Sequence, residues 1–215
     1  AFSGEEEQFV NRFLNKKFWY GLYNEDKKFG YMHYGLYSEQ KDQKNVLVFK
    51  TNMTTKMAAE GQESTSTSVE KVIFDQESGE LMGCSVESSE EIGNKKTGHT
   101  AVKSKGVWLV TDHAGEQREV VVSKENYGIK EFYSVDLWVL SRPKIGDQKK
   151  SRTFECETME YPEVTSEIKA IGPALISGSK VKTYDILTRF KDVTLALRVL
   201  EDGRLWSVEA GEMEF

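Results

Sequence analysis

The chain has 215 residues, of which 38% are hydrophobic, 30% charged and 11% aromatic. That composition suits a folded core and excludes the disordered and fibrous classes. A net charge of −6 and a pI near 5.3 leave no basic footprint for a phosphate backbone, so nucleic acid is not an expected partner. No run approaches the roughly 18 apolar residues that a membrane-spanning helix needs.

In chain order, the first signal is helical. Over 4–17, GEEEQFVNRFLNKK, the residues Phe9, Val10, Phe13 and Leu14 fall at helical spacing, with acid in the first turn and base in the last. Ser3 and Glu6 have the spacing of a capping box. The chain begins Ala1-Phe2-Ser3-Gly4 without a methionine, which suits a processed exported chain, a cloned fragment or a tag remnant alike.

Residues 18–37, FWYGLYNEDKKFGYMHYGLY, follow as the stretch around which the rest is organised. Five tyrosines and a tryptophan flank the polar turn 24–28, so the segment reads as two aromatic strands folded on each other. Alternation puts Trp19, Gly21 and Tyr23 on one side of the first arm. Phe29, Tyr31, His33 and Tyr37 share one side of the second. Gly21, Gly30 and Gly35 among these rings indicate curvature, a bulge or a close approach of something else to the backbone.

Strands are then expected over 45–59, 64–74, 81–92, 97–104, 107–112 and 118–123, each pairing with its predecessor. Residues 125–141 break the pattern with mixed apolar spacing, which suits a helical insertion near 126–141, closed by the turn at Arg142-Pro143. Further strands are read over 149–161, 163–171, 179–190, 193–200 and 204–211, the last pair joined by Asp202-Gly203. The two turns Asp75 to Leu81 and Asp202 to Leu205 share turn chemistry. These elements predict a mainly β fold: a large curved antiparallel sheet or partly open barrel with an N-terminal helix (residues 1–17) and a short helical insertion. Residues 18–215 are read as a single β domain.

The first hairpin, the Ile145-Gly146-Asp147 turn before a strand, and the ending from Val199 through Asp202-Gly203-Arg204-Leu205 resemble a bacterial pattern. It is similar to the β-rich region that precedes the catalytic domain in exported transglutaminase-like proteins. In turn it is similar to envelope domains of unknown function whose curled sheets are like those of lipoprotein carrier proteins. The resemblance implies a periplasmic or cell-envelope location and a catalytic domain elsewhere in a longer protein.

The chemistry-bearing residues give no catalytic constellation, and no enzymatic activity, cofactor or metal is expected. Cys84 and Cys156 are the only cysteines. Both fall in strand-like contexts, CSVES and TFECETM, so two buried thiols are expected, with a disulfide as the alternative in an oxidising compartment. Neither cysteine has the surroundings of an activated thiol, since Cys156 lies between two glutamates. His33, His99 and His113 are far apart in sequence, and none has a second ligand at a spacing that makes a ready metal site.

What remains is the aromatic stripe. With Met53, Met57, Trp108, Trp138 and Trp206 it can line a cavity for an apolar, lipid-like ligand, or these residues simply fill the core. A tyrosine cluster is costly to bury whole, because every hydroxyl then needs a partner. Trp19, Tyr23, Tyr31 and His33 are therefore the expected contacts for a protein partner or an apolar ligand. The alternative is that these rings pack under the N-terminal helix against Phe9 and Phe13.

Overall fold

The computed structural model describes residues 4–24, 27–41, 43–59, 62–92, 95–121, 127–176 and 178–210. The chain is mainly β, and its strands divide between two antiparallel sheets, of eight and five strands. Two compact units result: residues 1–128 with 156–159, and residues 129–155 with 160–215.

The first unit opens with α1 (Gly4–Phe13), whose Phe9, Val10 and Phe13 are buried as their spacing predicts. The helix ends at Phe13, short of the expected Lys17. Asn15 takes the left-handed conformation (φ 57°), which ends a helix, and Lys16 already pairs with Leu36. The expected cap between Ser3 and Glu6 lies outside the described residues.

The sheet is a meander of β1 (Lys16–Asn24), β2 (Lys27–Lys41), β3 (Lys44–Ala59), β4 (Gln62–Asp75), β5 (Leu81–Glu90), β6 (Lys95–Ser104), β7 (Val107–Asp112) and β8 (Gln117–Val121), paired in that order. The β4–β5 turn is fixed by Asp75, whose Oδ1 accepts from the backbone N–H groups of Glu77 and Ser78, with Gly79 at φ 74°. One side of the strands carries Leu36, Leu47, Val72, Phe74, Cys84, Ala101, Trp108 and Val110, all buried.

The sequence misplaced both cysteines' chemistry. Cys84 and Cys156 are joined in a disulfide, 72 residues apart in sequence and 6.1 Å apart at Cα. Cys156 sits in a turn segment, not in the long strand expected over 149–161. That strand stops at Arg152, and Met159 takes φ 60° in the loop that follows. The loop seats Cys156 against Cys84, a long-range contact with no local signature in the sequence.

The second unit contains the helical insertion, α2 (Ile129–Phe132) and α3 (Ser134–Leu140). Its sheet comprises β9 (Gln148–Arg152), β10 (Glu163–Ile176), β11 (Ser179–Phe190), β12 (Val193–Leu200) and β13 (Leu205–Ala210), ordered β13-β12-β11-β10-β9. Val135, Trp138 and Val139 of α3 pack on Ile168, Tyr184, Ile186 and Val199. The β12–β13 turn repeats the earlier chemistry: Asp202 accepts from the Arg204 N–H, and Gly203 has φ 86°. β10 runs five residues past the expected Ile171, through Pro173. This is possible because β9 pairs only with residues 163–167, leaving the missing N–H of Pro173 on an open edge.

Candidate functional site

The site is built from register. Residues directly opposite on antiparallel strands share a face, so each cross-strand row can be read off the pairing. One row holds Trp19, His33, Asn52, Val69 and Glu87, from β1 to β5. The next holds Gly21, Tyr31, Thr54, Thr67 and Ser89. On the other side of the first row lie Lys17, Gly35, Lys50 and Lys71.

On this face the rings meet. The centroid of Trp19 is 4.4 Å from that of His33 and 5.9 Å from that of Tyr31. Tyr23 joins them although a bulge interrupts the register between Leu22 and Tyr23, because its ring folds back over Gly21, where it would lie 2.5 Å from a β-carbon. Tyr37 covers Gly35 in the same way. The approach to two of the hairpin glycines is thus made by the chain's own rings. Trp19, Tyr23 and Tyr31 remain 61%, 60% and 43% exposed, an unusual concentration of large aromatic surface in water.

Around the rings the charges are basic, and the acidic group of the first row, Glu87, lies at its far end on β5. Lys17 Nζ lies 5.4 Å from the Trp19 ring centre, a cation–π contact. The His33 imidazole is held below its usual value by burial, and further by the charges of Lys17 and Lys50. Its Nδ1 is buried without a hydrogen-bond partner among the described residues. Lys50 and Lys71 stand directly opposite each other, and neither they nor Lys17 form an ion pair among the described residues.

The opposite face of the hairpin follows the alternative reading. Phe13 of α1 lies 5.6 Å from Phe18, Phe18 5.4 Å from Tyr34, and Tyr34 stacks on Tyr20 with their hydroxyls 3.2 Å apart. The hairpin is therefore two-sided: one set of rings packs beneath the helix, and Trp19, Tyr23, Tyr31 and His33 lie on the other side.

The remaining residues expected to line a cavity have separate settings, each within its own unit. Met53 pairs with Met32 and so lies on the helix side; Trp108 is fully buried in the first unit. Trp138 packs in the core of the second unit, and Trp206 is exposed on β13. The side chain of Met57 lies outside the described residues.

The other histidines have separate settings. His99 lies within β6 and not at a turn, its Nε2 2.6 Å from the carbonyl oxygen of Cys156 and 3.7 Å from Cys156 Sγ. His113 follows Asp112, whose Oδ1 accepts from the N–H groups of Ala114 and Glu116, a turn. Among the described residues no group of three His, Cys, Asp or Glu side chains could hold a metal ion, and no helix is long and apolar enough to cross a membrane.

Sequence reasoning did not find the lysine row. Lys17, Lys50 and Lys71 are far apart in the chain and align only once the loops joining β1 to β4 have set the register.

Two antiparallel meanders with short helices define a mainly β class of domain. A crystal structure of a "beta-barrel-like protein of domain of unknown function DUF1849" from Brucella abortus is similar to this chain with a TM-score of 0.63. The likeness covers 91% of this chain and 89% of that one at 8% sequence identity, so it carries the fold alone. Comparisons with protein-family models and with curated proteins give no match.

Proposed function

We propose that this chain is a non-catalytic binding module of the cell envelope, with the Trp19, Tyr23, Tyr31 and His33 face of the first hairpin as its recognition surface. The observation that carries the reading is the exposure of three large rings on one face, with Trp19 5.9 Å from Tyr31 and Tyr23 lying over Gly21. Exposed aromatic surface is what buried anchors at binding sites are drawn from. The Cys84–Cys156 disulfide supports an oxidising compartment, which suits the periplasm. The resemblance of the first hairpin and the closing strands to the region before the catalytic domain of exported transglutaminase-like proteins supports an accessory role beside such a domain.

The test is a pair of variants, Trp19→Ala and Tyr31→Ala, compared with the parent chain in cosedimentation with isolated envelope fractions. Both variants should keep their unfolding free energy in urea within about 1 kcal/mol of the parent, because neither ring is in the core, and both should lose cosedimentation. If both unfold, or if both cosediment as the parent does, the recognition surface lies elsewhere.

A further inference from the structure

We infer that the aromatic face binds an acidic polysaccharide laid across β1 to β5, its sugar rings on Trp19, Tyr23 and Tyr31 and its carboxylates toward Lys17, Lys50 and Lys71. This rests on the recognition surface proposed above and names the chemistry it takes. Three features of one face converge on it.

The first is the rings. A pyranose presents a face of C–H groups that suits the electron-rich face of an indole or phenol. Trp19 and Tyr31 lie 5.9 Å apart on adjacent strands, with Tyr23 beside them over Gly21. They form a platform, not a single pocket.

The second is what continues from the platform. The rows that begin at Trp19 and Gly21 run through Asn52 and Thr54 on β3 to Thr67 on β4 and to Glu87 and Ser89 on β5. There they enter a cleft of about 750 Å³ lined by Thr67, Val69, Glu87, Ser89, Thr100 and Thr111. The amide and hydroxyl side chains of this path match sugar hydroxyls, and the Glu87 carboxylate accepts from them. An acyl chain laid along the same path would leave them without partners, at a cost for each polar group covered. A membrane surface fits this path poorly for the same reason.

The third is charge. The chain as a whole carries −6, yet Lys17, Lys50 and Lys71 occupy a single row with no acidic partner among the described residues. Like charges directly opposite on a sheet destabilise it, and a bound polyanion relieves that repulsion. A neutral glycan would use the rings and leave the row unexplained.

The experiment titrates the purified chain with oligogalacturonate and with its fully methyl-esterified form by calorimetry, and with phosphatidylglycerol vesicles by cosedimentation. Oligogalacturonate should bind, with affinity falling as salt is raised. The methyl ester should bind about eightfold more weakly or worse, because three lysine contacts at about two- to fivefold each are lost. Trp19→Ala should weaken oligogalacturonate binding by about tenfold or more, and Lys50→Gln with Lys71→Gln should remove most of the salt dependence while the urea midpoint is kept. Equal binding of acid and ester overturns the charge assignment and with it the proposal. Vesicle binding without oligogalacturonate binding overturns it in favour of a lipid surface, and the recognition face stands if Trp19→Ala abolishes that binding too. No binding to either sugar, with envelope cosedimentation still lost in Trp19→Ala, overturns the glycan while leaving the module. If that cosedimentation also persists, both readings fall.

Discussion

The ring of Tyr23 lies against Gly21, so close that a β-carbon there would meet Cε2 at 2.5 Å and the hydroxyl at 3.0 Å. An aromatic ring laid over a strand glycine shields backbone that would otherwise face water. Here it also brings a fourth side chain to the face that carries Trp19, Tyr31 and His33, across a bulge. Gly21→Ala should therefore displace Tyr23 while barely changing stability, because the gain of alanine over glycine in a strand, about 0.5–1 kcal/mol, offsets the loss of an exposed ring contact. Urea unfolding and tyrosine fluorescence should show a near-normal midpoint with a changed Tyr environment, and ligand binding should weaken.

Trp19 and Trp108 make an internal control. Trp108 is fully buried and Trp19 is 61% exposed, so Trp108→Ala should cost about 3–5 kcal/mol and Trp19→Ala about 1 kcal/mol or less. Comparable losses from the two would show that Trp19 is part of the core.

The disulfide closes a loop of 72 residues between two buried sulfurs. The double variant Cys84→Ser, Cys156→Ser should lose about 4 kcal/mol in urea under non-reducing conditions, mostly through the greater freedom of its unfolded chain. Reduction of the parent chain should reproduce the shift, and an unchanged midpoint would show that the bond contributes little.

In the second unit, burial raises the Asp136 carboxyl from 3.8 to about 7, and the Tyr133 phenol one turn earlier is pushed up by burial and by the Asp136 charge. Between pH 3.8 and about 7 the folded chain holds a proton that the unfolded chain has released. This group's contribution is thus fully present below the lower value and is lost as pH rises through the window. Asp136→Asn should flatten that slope and stabilise the chain at pH 8 by about 2 kcal/mol, after allowance for partial exposure of the residue. Urea titrations at pH 4 and pH 8 check it.

His33 has the opposite sign. Its folded value lies below the usual 6.5 through burial and the facing charges of Lys17 on β1 and Lys50 on β3. The unfolded chain therefore binds more protons just below pH 6.5, and stability is lost as pH falls from 6.5 through the lowered value. His33→Gln should remove this acid-side loss. A carboxylated ligand should bind the parent chain more tightly as pH falls through the lowered value, since a protonated His33 adds a cation beside the lysine row, and the variant should lack the difference.

Much of the fold was legible because the signals were local. The strands at 107–112, 179–190 and 193–200 follow from alternation and from turns whose Asp and Gly have one preferred geometry. The hairpin's two faces were legible for the same reason, since Trp19 and Tyr23 differ in parity from Phe18 and Tyr20. What was hidden is non-local. The partner of Cys84 lies 72 residues on, and its loop runs through a segment whose composition suits a strand. The row of Lys17, Lys50 and Lys71 exists only through a register that the intervening loops determine. The extension of β10 through Pro173 depends on how far its neighbour β9 reaches.

In both sheets every strand pairs with its neighbours in sequence. As the chain is synthesised, each completed hairpin can therefore dock on the edge left by the one before, without waiting for a distant segment. Sheet growth is directional, with the newest strand always the open edge. All eight strands of the sheet that holds Cys84 precede Cys156 in the chain, so the meander can assemble before the bond closes, and oxidation then fastens it.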